Sequence, residues 1–305
     1  MQSTSKILMI RPINFGFNEQ TSANNKFQTK GFEQNAVKKA IAEFDGFVSL
    51  LEEHGVQVIV IEDTPEPHTP DSIFPNNWFS THQGGTLVLY PMFAPNRRLE
   101  RKPVVLNFLR EKSNVKREVD LTYFEKEDKF LEGTGSMVPD RDSNLIFACR
   151  SSRTNQEVLE KFCEELDYDY FLFDAFDKTG APIYHTNVMM SVCTKFVLVC
   201  LDAIKDLEQR ASLVGFAKES DKEIIEISLE QMAQFAGNIL EVRNQTGEPL
   251  LVMSQTAKES LNREQLKKLE SYCKIVSSNL STIENNGGGS ARCMIAELFI
   301  MFNEF

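Results

Sequence analysis

Eight short apolar strings recur along the chain: Ile7–Ile10, Val56–Ile61, Thr86–Tyr90, Leu145–Ala148, Asn187–Val192, Phe196–Leu201, Leu250–Met253 and Met294–Phe299. Each is short and rich in branched aliphatic residues, so each reads as a strand. Between them lie stretches of helical period, at Asn35–His54, Asn155–Leu166, Ala203–Glu219, Leu229–Ala236 and Arg263–Val276. The alternation predicts an α/β fold. A doubly wound sheet is the ordinary solution for such a pattern, but no phosphate-binding glycine turn opens a helix after a strand. Periodicity alone leaves layered and circular arrangements open. Asp63–Pro70, with its three prolines, reads as a loop and not as a linker, so residues 1–305 are expected to form one domain.

The chain has 305 residues, 42% of them hydrophobic and 25% charged, enough for a large core under an ordinary soluble surface. Its net charge of −11 argues against a nucleic-acid partner, which would require clustered positive charge. No apolar run approaches the roughly 18–20 residues that span a bilayer, and the N-terminus lacks the apolar stretch of a signal peptide. No membrane partner and a cytoplasmic location are expected. The six cysteines include no CxxC pair and fit reduced thiols better than a disulfide framework. His54, His68, His82 and His185 lack metal-ligand spacing, so neither a metal nor another cofactor is expected.

Chemistry concentrates in three segments. Near the C-terminus, Gly287-Gly288-Gly289 precedes Ser290-Ala291-Arg292-Cys293, and glycine lets a backbone approach a ligand without steric cost. Cys293 is therefore the candidate nucleophile. Upstream lie Leu131-Glu132-Gly133-Thr134-Gly135 and Tyr184-His185-Thr186-Asn187. A thiol, an imidazole and a carboxylate supply a nucleophile, a proton carrier and an orienting acid. Taken alone, each has a plainer reading: a buried cysteine, a structural histidine, an exposed turn carboxylate.

Together with Asp71-Ser72-Ile73-Phe74-Pro75-Asn76-Asn77-Trp78, Ala94-Pro95-Asn96-Arg97-Arg98 and Ser151-Ser152-Arg153-Thr154-Asn155, these segments resemble the guanidino-group-modifying enzymes, the pentein superfamily. That superfamily includes arginine deiminase, dimethylarginine dimethylaminohydrolase, the dihydrolases and the amidinotransferases. The likeness covers nearly the whole chain and is nearest to the citrulline-hydrolase-like branch, through Asn76–His82 and Ala291–Met294. It implies a five-bladed α/β propeller with pseudo-fivefold symmetry and a site in its central channel. It also implies Cys293 as nucleophile, His185 as acid and base, and Glu132 as the residue that orients the imidazole. One departure stands out: the second acidic residue many relatives carry soon after the glutamate is replaced by Thr134-Gly135-Ser136.

The substrate is expected to be a small amino acid. Relatives acting on cationic guanidinium carry aspartate where Asn77 stands, and arginine deiminases carry it at Asn187 too. Removing one partner of a buried ion pair costs about 3–5 kcal/mol, so two amides favour a neutral ureido group, and citrulline in particular. Arginine deiminase, dimethylarginine dimethylaminohydrolase, a dihydrolase, an amidinotransferase and a non-catalytic amino-acid-binding protein remain as alternatives. Asp71 joins Asn77 and Asn187 as a candidate contact. Arg97 or Arg98, with Arg153, resembles the clamp for the substrate carboxylate, while Arg292 is secondary. The polar stretch Phe15–Asn25, with Phe17, reads as a loop that closes over the ligand. A homodimer is left open.

Overall fold

The strands of the described residues gather into five mixed sheets of three strands each. The computed structural model describes residues 1–22, 25, 27–28 and 35–302. In the first sheet, β1 (Lys6–Arg11) is antiparallel to β15 (Ala296–Glu297) and parallel to β2 (Gln57–Glu62). The second holds β3 (Phe79–His82), β4 (Thr86–Leu89) and β5 (Arg117–Asp120); the third holds β6 (Met137–Asp140), β7 (Leu145–Cys149) and β8 (Asp169–Phe173). β9 (Met190–Val192), β10 (Phe196–Val199) and β11 (Glu223–Glu226) form the fourth, and β12 (Leu240–Arg243), β13 (Pro249–Ser254) and β14 (Lys274–Ser278) the fifth. Every central strand is antiparallel to one neighbour and parallel to the other. A parallel pair cannot be closed by a tight turn, and a helix bridges each: Ala36–Glu53, Pro103–Lys112, Gln156–Leu166, Leu207–Glu219 and Arg263–Glu270.

The apolar strings are explained by burial on both faces. Along β1, Ile7 and Met9 enter one core while Leu8 and Ile10 enter another, as the two-residue period of a strand requires. Leu87 and Leu89 of β4 share the core of Leu8 and Ile10, whereas Val88 joins Ile146 and Ala148 of β7. Leu145 and Phe147 face β10, and β13 sends Leu251 and Met253 to that same core. Its alternate residues, Leu250 and Val252, meet Ile7 and Met9. Each sheet therefore shares a core with the sheets before and after it, the fifth with the first. A continuous apolar run, not alternation, is the expected pattern for such a strand.

Some elements differ from the sequence expectation. Arg263–Val276 is not one helix: it stops at Glu270, and Ile275 and Val276 pair with β13 as part of β14. Asn187–Val192 begins as the 3-10 turn Thr186–Val188, and Met294–Phe299 contributes only Ala296–Glu297 to a strand. Outer strands β5 (Arg-Glu-Val-Asp) and β11 (Glu-Ile-Ile-Glu) carry no apolar string because most of their residues face solvent. Among the described residues, no helix is long and apolar enough to cross a membrane.

Candidate active site

In each sheet a turn immediately before the first strand brings polar or reactive side chains to one place. Asn77 closes the 3-10 turn Pro75–Asn77 ahead of β3, Glu132 precedes the helical turn Gly133–Ser136 ahead of β6, and His185 precedes Thr186–Val188 ahead of β9. Asn238 stands just before β12, and Cys293 shortly before β15. The turns approach closely because their glycines allow it. A Cβ on Gly135 would lie 2.4 Å from Asn77 Nδ2 and 2.8 Å from His185 Nδ1, distances no side chain tolerates.

His185 Nε2 lies 2.8 Å from Glu132 Oε2. Glu132 is itself fixed by Arg153 Nη1 at 3.2 Å and by the Phe93 N–H at 3.0 Å. Burial works against its ionisation, but Arg153 and His185 outweigh this and hold the carboxyl well below the usual carboxylate range. Burial dominates at His185 and lowers its pKa to about 4 despite the Glu132 hydrogen bond. The resting imidazole is thus neutral at pH 7. With Nε2–H donated to Glu132, Nδ1 is the nitrogen left to exchange protons.

Cys293 is buried, and its N–H donates to Ser290 O at 3.0 Å. Burial raises the thiol pKa, opposed by Ser290 and Asn238 and then by Arg292 and Arg97. Asn238 Nδ2 lies 3.2 Å from the sulfur and Asn187 Nδ2 3.8 Å from it. The triglycine wraps over this atom: Gly288 has φ +66°, and a Cβ on Gly289 would sit 2.8 Å from Phe74 and 3.2 Å from Cys293 Cβ. Tyr184 OH and Gln28 Nε2 hold the loop through the carbonyls of Gly288 (3.0 Å) and Gly287 (2.9 Å). The remaining cysteines are free and buried, and burial pushes Cys149, Cys163 and Cys273 up to about 12. Those three fit the plainer reading of packed thiols.

A cavity of about 20 Å³ is lined by Cys293, His185, Asp71, Asn77, Arg97 and Arg153. Arg97 makes a bidentate pair with Glu100 (2.8 and 2.9 Å) and donates to Asn77 Oδ1 at 2.8 Å. That contact fixes the Asn77 amide, leaving Nδ2 buried without a partner. Across the cavity, Asp71 Oδ2 accepts from Asn18 at 2.7 Å and Thr21 at 3.3 Å, while Oδ1 is buried without a partner. Burial raises the Asp71 pKa against the pull of Arg97. A free donor and a free acceptor therefore belong to two residues that line one small space. Buried polar atoms are normally paired, so both point to a ligand.

The family model described as N,N dimethylarginine dimethylhydrolase, eukaryotic, matches residues 11–300. The chain belongs to this dimethylarginine dimethylhydrolase family. It is accordingly a member of the pentein superfamily. Among solved structures, the product-bound N-terminal domain of ArgZ, a cyanobacterial arginine dihydrolase of the ornithine-ammonia cycle, superposes with a TM-score of 0.76. The identity is 18%, over 96% of this chain and 97% of that one. Full-length ArgZ gives 0.75 at 19% identity over 95% of this chain, which spans only 40% of ArgZ. DDAH from Pseudomonas aeruginosa, as a cysteine-to-serine mutant complexed with citrulline, gives 0.65 at 14% identity over 97% and 100% of the two chains. Such identities carry the fold alone. Comparison with curated proteins finds no match.

Of the expected site residues, Cys293, His185, Asp71, Asn77, Arg97 and Arg153 line one cavity, with Glu132 hydrogen-bonded to His185, but three other expected contacts do not line it. Arg98 donates to the carbonyls of Met92 (3.0 Å) and Phe93 (3.3 Å), since successive residues of the turn Pro95–Arg98 point in different directions. Phe17 does not line the cavity, whereas its neighbour Asn18 donates to Asp71. Asn187 borders a second cavity of about 20 Å³ and donates to Thr134 O at 3.1 Å. Arg292 turns to Ile295 O and Glu297, both at 2.9 Å. Of the expected loop, Glu19–Ser22 forms a helical turn, Thr21 and Asn25 line the cavity, and Ala23 and Asn24 lie outside the described residues. Asn238 and Glu100 were not evident from sequence; a Gly-Asn pair just before an apolar strand is the signal that marks Asn238. No carboxylate, histidine and cysteine cluster suited to a metal occurs among the described residues.

Proposed function

We propose that the chain is a cysteine hydrolase of a ureido amino acid, with citrulline as its substrate, and that its sheets form a five-bladed propeller around the site. The locked Asn77 amide carries this reading. Arg97 holds Oδ1 at 2.8 Å, so the unpaired Nδ2 offers a donor to the ligand. A ureido oxygen accepts that hydrogen bond and its N–H groups serve Asp71 Oδ1; guanidinium has no acceptor to offer. Leaving a buried donor unpaired costs about 1–3 kcal/mol. The second reading is a guanidinium substrate, as in a deiminase or dihydrolase. It is favoured by Asp71, a carboxylate that lines the cavity and whose Oδ1 has no partner.

In the proposed reaction, the neutral imidazole of His185 takes the Cys293 proton as the sulfur attacks the ureido carbon. Glu132 stabilises the imidazolium so formed. The C–S bond forms, the bond to the terminal nitrogen breaks, and His185 returns the proton to the departing ammonia. A water, deprotonated by His185, then cleaves the thioester-like adduct and restores the thiol. The carbamate released loses carbon dioxide to leave ornithine. Ammonia release from citrulline and arginine, measured side by side, tests the assignment: faster release from citrulline supports it, and faster release from arginine replaces it with the guanidinium reading.

Two further outcomes follow from the pair. Because His185 is neutral down to about 4, kcat/KM for citrulline is expected to stay level as pH falls through 6 and to drop only near 4. A drop centred near about 6.5, the ordinary histidine value, would contradict the buried neutral imidazole. His185→Ala and Glu132→Gln should each lower kcat by roughly 10²–10⁴-fold, and the double variant should be no worse than His185→Ala alone. Losses that multiply would mean that the two residues do not act as a unit.

A further inference from the structure

We infer that Asn238 is a catalytic residue that stabilises the Cys293 thiolate through its amide N–H. This rests on the reading of Cys293 as nucleophile. The sulfur is buried, which disfavours its charged form. Arg292 cannot offset this by direct contact, because its guanidinium is committed to Ile295 O and Glu297. Besides the Ser290 backbone, the side chains whose polar groups reach the sulfur are carboxamides. Asn238 Nδ2 is 3.2 Å from Sγ and, with its other hydrogen, 3.1 Å from Asn187 O. An NH₂ group has two hydrogens; one anchors the amide to the neighbouring turn and the other is directed to sulfur.

The same side chain also suits the resting thiol, since Asn238 Oδ1 lies 3.6 Å from Sγ and can accept from S–H. Asn238 thus has a partner for either protonation state. When the proton leaves for His185, the amide donor is already in place and nothing need reorganise, which is the condition for effective electrostatic stabilisation. Asn187 Nδ2, at 3.8 Å and already given to Thr134 O, is the weaker second donor. Gly237 permits the placement: a Cβ there would lie 2.3 Å from Val188 O, so a larger residue would push the Asn238 turn away.

The test is the pH dependence of Cys293 alkylation by iodoacetamide, followed on the Cys293 peptide by mass spectrometry in the full chain without substrate. It therefore reports on Asn238 whether or not citrulline is the substrate. Asn238→Leu keeps the shape and removes the donor; the alkylation midpoint should rise by about one pH unit or more, so thiolate below the midpoint falls about tenfold. Asn238→Asp replaces the donor with an acceptor and should raise the midpoint further, and it serves alone if the leucine variant does not fold. A folded variant whose midpoint equals that of the wild type overturns the proposal.

Discussion

Cys293→Ser is expected to give a folded protein that binds citrulline and turns it over at least about 10⁴-fold more slowly, the scale of loss when a nucleophile is removed. The hydroxyl fits where the thiol sat. It is not activated there, because the neutral imidazole of His185 is a weak base and burial has already made Cys293 hard to ionise. Thermal unfolding should move little, since the exchange leaves the Ser290 contact through the backbone N–H intact. Residual turnover within tenfold of the wild type would remove Cys293 from the chemistry.

Asn77→Asp should invert or strongly erode the preference for citrulline. Aspartate has the same shape, and Arg97 would hold one oxygen where it now holds Oδ1 at 2.8 Å. The other oxygen would replace the Nδ2 donor, facing the ureido oxygen with negative charge while rewarding a cation. Losing the donor alone accounts for about 1–3 kcal/mol, so the ratio of kcat/KM for arginine over citrulline should rise by roughly 10–100-fold. The absolute rate on arginine can still be low, because a head group shifted within the cavity presents its carbon poorly. A flat ratio would mean that Asn77 does not select the head group.

The central strands were legible because each is buried on two faces and writes an uninterrupted apolar string, as Leu145–Cys149 does. Their outer partners were not, since Arg117–Asp120 and Glu223–Glu226 hold only one or two apolar residues between charged ones at a solvent-facing edge. The repeated topology leaves no repeated sequence, because what recurs is pairing and crossover, which many side chains satisfy. Cys293, His185 and Glu132 were singled out through the family resemblance, because on residue type alone each had a plainer reading; the structure sets the imidazole 2.8 Å from the carboxylate. The role of Arg97 was not: its commitment to Glu100 and Asn77 depends on how the turn Pro95–Arg98 packs on the turn Pro75–Asn77. Asn238 escaped notice because an asparagine before a strand is ordinary until a sulfur from the end of the chain is set beside it.

The most direct measurement is rapid acid quench of the wild-type protein turning over citrulline, followed by intact-mass and peptide analysis. The proposed mechanism predicts a transient gain equal to citrulline less ammonia, carried by the Cys293 peptide alone. No adduct at any quench time during turnover, or an adduct on Cys149, Cys163, Cys193, Cys200 or Cys273, would contradict it.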